Sequence, residues 1–146
     1  MYQNPCVSLS GMNYTVFFHY TDEYGKNAIV QSMCIKASRR NPKGRDVLFG
    51  EGVYGTTMDP DLFSKQELAK NNYDTRAGFW ENLMDIGRVD YAIKILLPIS
   101  SLKLVKHKTR DILIHKGDID LRKYRFTVIK VRDEDSEDSE ESDWLP

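Results

Sequence analysis

The sequence has few of the features that identify several large protein classes. Only two of its 146 residues are cysteines, Cys6 and Cys34, too few for a disulfide framework, which favours a reducing compartment. No apolar run approaches the roughly 20 residues that span a bilayer, and no signal peptide opens the chain. We therefore expect no membrane partner and a cytoplasmic or nuclear, intracellular location; export as an effector without a cleaved signal stays open.

Several patterns that mark catalytic or metal sites are also missing. The sequence contains no Gly-x-x-x-x-Gly-Lys phosphate loop, no nucleophile elbow and no Cys–His protease signature. His107 and His115 lie far from both cysteines and show no metal-ligand spacing. We therefore predict no bound metal.

The charge is unevenly distributed along the chain. The formal net charge is −1, but residues 133–143 hold eight of the 22 acidic residues and no basic one. This leaves residues 1–132 with a net charge of +7, which suits a dianionic cofactor or a nucleic acid. Because it has little apolar content, we expect the segment 133–146 to be a disordered acidic tail after a domain of residues 1–132.

Periodicity in the first half predicts a strand, a helix and two shorter helices. YTVFFHY, residues 14–20, is aromatic and β-branched, as strands are. Thr21 can then cap a helix over residues 22–33, with Tyr24, Ala28 and Ile29 as its buried face. Shorter helices are predicted within DPDLFSKQELAKNN and GFWENLMDIG. Residues 1–12 are predicted to be irregular, and residues 36–46 to form a basic loop.

The second half is typical of a sheet. VDYAIKILL, residues 89–97, alternates apolar positions and is ended by Pro98. DILIH and RFTVIKVR follow, joined by a turn around Gly117. A strand and helix followed by more helices and several strands indicate an α+β fold with a mixed or antiparallel sheet.

One segment, FGEGVYGTTMDP at residues 49–60, carries most of the functional information. Gly50 and Gly52 can let the backbone approach a flat ligand, and Tyr54 can stack on it. A tight turn that precedes a strand would give the same residue pattern. Two further segments make a functional interpretation more specific. They are FFHYTDEYG upstream, which contains His19, and TRDILIHKGDIDL downstream, which contains Asp111.

These three segments, in this order, resemble the ADP-ribosyltransferase superfamily. The nearest match is the His-Tyr-Asp branch, the HYD1-type toxin ADP-ribosyltransferases, and the third segment is also similar to the poly(ADP-ribose) polymerases. The resemblance covers roughly residues 14–132. It implies a split sheet with flanking helices and NAD as substrate. The activity would be transfer of ADP-ribose to a protein or nucleic-acid acceptor, or hydrolysis of NAD.

The resemblance also implies roles for individual residues. Asp111 would accept a hydrogen bond from the nicotinamide ribose and stabilise the ribosyl cation. If Asp111 does not carry this step, Asp118 or Asp120 become the candidates. His19 would bind the adenosine-side ribose, and Tyr54 would stack on nicotinamide. The remaining candidates would complete the nicotinamide pocket. Gly50, Gly52 and Tyr20 would do so through their backbone, and Tyr73 would form a second wall.

Plainer interpretations stay open. Taken alone, a histidine on a strand is usually structural and a tyrosine usually belongs to the core. An aspartate such as Asp111 is usually a surface carboxylate at the edge of a strand. The polymerases use glutamate where this chain has Asp111, which argues against chain elongation more than against NAD cleavage. The sequence lacks the Glu-x-Glu or Gln-x-Glu pair of arginine-modifying transferases, so the acceptor stays open. A catalytically inactive module that binds nucleotide, RNA or protein, and an RNA 2′-phosphotransferase relative, are the alternatives.

Overall fold

The computed structural model describes residues 6–9, 12–38, 50–73, 79–107 and 109–133, with only the backbone for Cys6–Leu9, Met12, Phe79 and His107. Residues 39–46 of the predicted basic loop and the tail beyond Asp133 lie outside these ranges. The helices are α1 Glu23–Ser32, α2 Lys65–Tyr73 and α3 Phe79–Asp85. The strands are β1 Cys6–Leu9, β2 Met12–Thr21, β3 Cys34–Ile35, β4 Val53–Gly55, β5 Tyr91–Pro98, β6 Leu102–His107, β7 Arg110–His115, β8 Ile119–Asp120 and β9 Phe126–Lys130.

The strands form three sheets within the described residues. The largest has the order β1-β2-β5-β9, the second has the order β4-β7-β6, and β3 pairs with β8. Each of these pairs is antiparallel. The α+β class predicted from the sequence is therefore confirmed, and the strands follow the antiparallel alternative.

Strand β2 supplies aromatic side chains to two separate cores. Phe17 is fully buried in one core, which contains alternate residues of β5 and Ile29 of α1. Phe18 belongs to the other, which contains Leu68 and Ala69 of α2. Successive strand residues point to opposite faces, so β2 separates the layer of α1 from that of α2. Truncating either ring to alanine should cost about 3–5 kcal/mol of stability.

In the described residues, one β-bridge joins β2 to Thr56, the residue after β4, and thereby connects the two larger sheets. The amide of Phe18 donates to the carbonyl of Thr56 at 2.8 Å, and the amide of Thr56 donates back at 3.0 Å. A Cβ on Gly55 would lie 2.3 Å from the Phe17 ring. The close approach of the two strands therefore requires glycine at position 55.

The first helix differs in two details from the prediction. Its N-cap is Asp22, whose carboxylate accepts from the amide of Gly25 at 2.7 Å, while Thr21 ends β2. Its buried residue is Ile29, whereas Tyr24 is 85% exposed and Ala28 is also exposed. Helical spacing identifies residues that share a face, but tertiary packing decides how much of that face is covered.

Two strands of four or more residues occur where the sequence does not predict them. Residues 1–12 are predicted to be irregular, but β1 lies there and pairs with β2 from Cys6 opposite Thr15 to Leu9 opposite Met12. Strand β6 is the other and pairs with β7 along its length. A four-residue strand such as β1 is too short to show clear alternation, and its pairing partner stabilises it.

Helix α2 begins later than Pro60 because a capping box fixes its start. The amide of Ser64 donates to Glu67 at 2.8 Å, and the amide of Glu67 donates to the hydroxyl of Ser64 at 3.1 Å. The next residue, Lys65, forms ion pairs with Asp90 and Asp133. None of the helices in the described ranges is long and apolar enough to cross a membrane.

Candidate active site

His19 and Tyr54 are in contact at the junction of the two larger sheets. The ring Nδ1 of His19 lies 2.8 Å from the main-chain oxygen of Tyr54. A carbonyl can only accept, so Nδ1 carries the hydrogen in this contact. Burial lowers the pKa of His19, so the ring is neutral near pH 7 and Nε2 keeps its lone pair. His19 can therefore accept a hydrogen bond from a hydroxyl group through Nε2.

Tyr20 has separate roles for its side chain and its backbone. Its ring is buried in the core beside α2, and its hydroxyl donates to the carbonyl of Met58 at 2.6 Å. The amide and carbonyl of Phe18 point toward β4, and backbone groups of a strand face the same edge at every second residue. The backbone of Tyr20 therefore faces the side of β2 on which β4 lies.

The glycine-rich segment has an internal reason for one of its glycines. Gly52 has a φ of +150°, and a Cβ there would lie 2.5 Å from Ile114 and 2.6 Å from the carbonyl oxygen of His115. Gly50 also has a positive φ, but a Cβ there would meet no atom within 4 Å. The hydroxyl of Tyr54 donates to the carbonyl of Gly50 at 2.6 Å. Packing against β7 thus accounts for Gly52, and the segment folds back on itself at Gly50.

The carboxylate of Asp111 is held through one of its two oxygens. Both the amide of Thr57, at 3.2 Å, and the hydroxyl of Thr57 donate to Oδ2 of Asp111. The other oxygen, Oδ1, has no hydrogen-bond partner in the described part of the chain. Asp111 is only half-buried at the start of β7, so Oδ1 remains available to a ligand.

The backbone of Asp111 is held by Asn71 of α2. The amide of Asp111 donates to Oδ1 of Asn71 at 2.6 Å, and Nδ2 of Asn71 donates to the carbonyl of Asp111 at 2.9 Å. The sequence does not predict a role for Asn71 or Thr57. The available signal for Asn71 is its helical spacing from the buried Leu68, which places a polar residue on the apolar face of α2.

Arg110 fastens the end of α2 to β7, and a cavity lies beside it. Its guanidinium donates to the carbonyls of Asn71 and Asn72 at 2.6 and 2.8 Å, the interaction that cations make at helix C-termini. The cavity has a volume of about 420 Å³, and Lys70 and Trp80 are among the residues that line it. The Nζ atom of Lys70 lies 5.1 Å from the centre of the Trp80 ring. His19, Tyr54 and Asp111 do not line this cavity.

The candidate residues therefore form two groups rather than one cluster. Tyr54 lies opposite Ile114, three residues along β7 from Asp111, and strand alternation places its side chain on the other face of that sheet. A ligand that contacts both side chains must pass around the end of β4, from one face of the sheet to the other. Tyr73 packs against the core beside α2, and burial raises the pKa of its hydroxyl.

Asp118 and Asp120, the alternatives to Asp111, both have hydrogen-bond partners within the fold. Oδ1 of Asp118 accepts from the amide of Ala37 at 2.8 Å. Asp120 caps a short turn by accepting from the amide of Arg122 at 3.0 Å. In the described ranges, no group of three or more histidine, cysteine or acidic side chains is arranged to hold a metal.

Comparison with known proteins gives one match. A family model described as HYD1 signature containing ADP-ribosyltransferase matches residues 17–123, a range that includes His19, Tyr54 and Asp111. No curated protein and no solved structure matches the chain.

Proposed function

The chain belongs to the HYD1 signature containing ADP-ribosyltransferases, and we propose on that basis that it cleaves the bond between nicotinamide and ribose in NAD⁺. The ribosyl group would then pass to a nucleophile on a macromolecule, with release of nicotinamide and a proton. With water as the nucleophile, the products would be ADP-ribose, nicotinamide and a proton.

The observation that carries the proposal is the arrangement of Asp111. Cleavage gives a ribosyl cation related to the transition state of glycoside hydrolysis, which a fixed carboxylate stabilises. Thr57 holds Oδ2 of Asp111, and Oδ1 has no partner among the described residues. In the proposed reaction, Oδ1 accepts from the 2′-hydroxyl of the nicotinamide ribose, and the carboxylate stabilises the positive charge as it develops.

The contact between His19 and Tyr54 supports a binding role for both residues. Because Nδ1 is engaged with the carbonyl of Tyr54, the neutral ring offers Nε2 to a hydroxyl of the adenosine-side ribose. Tyr54 would stack on the nicotinamide ring, and the backbone of Tyr20 would pair with the carboxamide. Tyr73 would form a further wall of the nicotinamide pocket.

The residues before Asp111 differ from those of the arginine-modifying transferases. Residue 109, two positions before Asp111, is a threonine rather than the Glu or Gln that arginine-modifying transferases carry in their Glu-x-Glu or Gln-x-Glu pair. Transfer to a protein or nucleic acid and hydrolysis by water are therefore both consistent with the site. Neither alternative needs a metal, because the positive charge forms on the substrate and the carboxylate is supplied by the protein.

Nicotinamide release from NAD⁺ tests the proposal. Purified protein is incubated with NAD⁺ with and without cell lysate, and Asp111→Asn is the matched control. Release without lysate indicates a glycohydrolase, and release only with lysate indicates a transferase. No release above the Asp111→Asn level in either condition would favour a catalytically inactive binding module.

A further inference from the structure

Strand β4 ends just before the position at which it would pair with Asp111. Its last residue, Gly55, lies opposite Leu113, so Thr57 occupies the position that antiparallel register would place opposite Asp111. The amide of Thr57 donates to the side chain of Asp111 instead of to its backbone. The backbone of Asp111 therefore needs another partner on this edge of β7.

The side chain of Asn71 is that partner. A primary amide has one acceptor and two donor hydrogens, which is enough to bond both the amide and the carbonyl of one strand residue. Asn71 does this with Asp111 at 2.6 and 2.9 Å. Asn71 is only 7% exposed, so water cannot easily replace these bonds.

Asn71 also connects Asp111 to the strand that carries His19. Its Nδ2 lies 3.3 Å from the hydroxyl oxygen of Thr56. The backbone of Thr56 makes two hydrogen bonds with Phe18, the residue before His19. The side chain of Asn71 is thus a direct link between the Asp111 strand and the bridge of β2 with β4.

We propose that Asn71 is a positioning residue, which fixes Asp111 relative to the His19 strand by taking the place of a β-strand partner. This inference rests on the proposed function, since the carboxylate it positions is the one assigned to NAD⁺ cleavage. A misplacement of about 1 Å can cost roughly a hundredfold in rate. Asn71→Ala should therefore lower kcat for nicotinamide release by roughly 10- to 100-fold, and the KM for NAD⁺ should change little.

The matched control is Gln66→Ala on the same helix. Gln66 also carries a primary amide, but it is exposed and does not line the cavity beside Arg110. This variant should keep the kcat of the unmodified protein. A loss of kcat in Gln66→Ala equal to that in Asn71→Ala would show a general effect of helix α2 and would overturn the positioning role.

A double-mutant cycle separates positioning from simple stabilisation. If Asn71 acts on turnover only through the carboxylate of Asp111, the Asn71→Ala substitution should change kcat little when Asp111→Asn is already present. Its effect on Tm should persist in both backgrounds, because the backbone bonds are lost in either case. An equal fold-loss of kcat in both backgrounds would overturn the proposal.

Amide hydrogen exchange gives a readout that does not depend on activity. The amide of Asp111 should exchange at least about tenfold faster in Asn71→Ala than in the unmodified protein, beyond any change in globally protected amides. If the unmodified protein releases no nicotinamide, the proposed function fails, and this measurement alone decides whether Asn71 holds Asp111. Unchanged exchange at Asp111 would overturn the positioning role even in an active enzyme.

Discussion

The Nδ1 atom of His19 and the main-chain oxygen of Tyr54 are 2.8 Å apart, although 35 residues separate them in the sequence. This hydrogen bond lies beside the only bridge between β2 and β4 in the described ranges. Two of the three candidate residues therefore meet directly where the larger sheets join. The third, Asp111, is connected to that junction through Thr57 and Asn71.

Asp111→Asn should affect turnover more than binding. The substitution keeps the shape of the side chain but removes the charge that stabilises the ribosyl cation. Turnover should fall by roughly 10²- to 10³-fold, while NAD⁺ affinity should change little. Nicotinamide release measures the first quantity, and calorimetric titration with NAD⁺ measures the second.

Asp61→Asn is the control for the Asp111 substitution. Asp61 is exposed, and its amide bonds Asp59 rather than any candidate site residue. This variant should match the unmodified protein in both turnover and NAD⁺ affinity. Near-normal turnover in Asp111→Asn would contradict the assignment and would direct attention to Asp118 or Asp120.

The pH dependence of stability should carry a contribution from His19. Burial lowers the pKa of His19 in the folded protein, so below about pH 6.5 the unfolded chain binds a proton that the folded protein does not. The free energy of unfolding should fall as the pH drops through this range, with no contribution from His19 above it. His19→Asn, which cannot take up this proton, should lose less Tm between about pH 7.5 and about pH 5 than the unmodified protein. Equal losses of Tm would contradict the prediction.

Two substitutions of Tyr54 should separate its ring from its hydroxyl. Tyr54→Phe removes the hydrogen bond to the carbonyl of Gly50 but keeps the ring, and NAD⁺ affinity should stay close to that of the unmodified protein. Tyr54→Ala removes the stacking surface, which contributes about 0.5–1.5 kcal/mol beyond burial, and should weaken affinity by about 2- to 13-fold. Equal affinity of the Phe and Ala variants in a binding titration would argue against stacking.

Alanine at the two glycines should have unequal effects on stability. Gly52→Ala would bring a Cβ within 2.6 Å of a backbone oxygen that cannot move without disturbing β7. Gly50→Ala meets no atom within 4 Å, so only the backbone strain of about 1–2 kcal/mol remains. Thermal unfolding should therefore show a clearly lower Tm for Gly52→Ala. A similar Tm for both variants would contradict the packing explanation of Gly52.

Removal of the acidic tail should change binding in a salt-dependent way. Residues 1–132 carry +7 and residues 133–143 carry eight acidic side chains, so the tail can compete with anionic partners. Deleting residues 134–146 should raise the affinity for a short oligonucleotide at low salt. This gain in affinity should disappear as added salt shortens the Debye length to about 8 Å. Equal binding with and without the tail at low salt would leave it a solubilising segment.

The end point of that deletion depends on Asp133. Asp133 forms an ion pair with Lys65, and this contact lowers the pKa of the Asp133 carboxyl. Asp133, the first residue of the predicted tail, therefore contacts helix α2 through Lys65. Because Asp133 is largely exposed, its loss should cost no more than about 1 kcal/mol. A deletion from 134 keeps this contact and isolates the effect of the tail.

The elements that the sequence predicts well are those with a long, regular pattern. Alternation over seven or more residues predicts β2 and β5, and aliphatic runs bounded by turn residues predict β7 and β9. The order of the three signature segments predicts the contact between His19 and Tyr54 less directly, through resemblance to a family. What the sequence cannot predict is which polar side chains become partners across the fold. Thr57 and Asn71 acquire their positions only when β4 ends early and α2 packs against β7.

The hydrogen bonds that assemble the site span 35, 40 and 54 residues of the chain. A fragment that stops before Arg110 would contain His19, Tyr54 and Asn71 but not the carboxylate that Asn71 holds. Such a fragment should be inert towards NAD⁺, and so should the complementary fragment. Activity should therefore arise in one step during synthesis or refolding, after the long-range contacts have closed, instead of growing gradually with chain length.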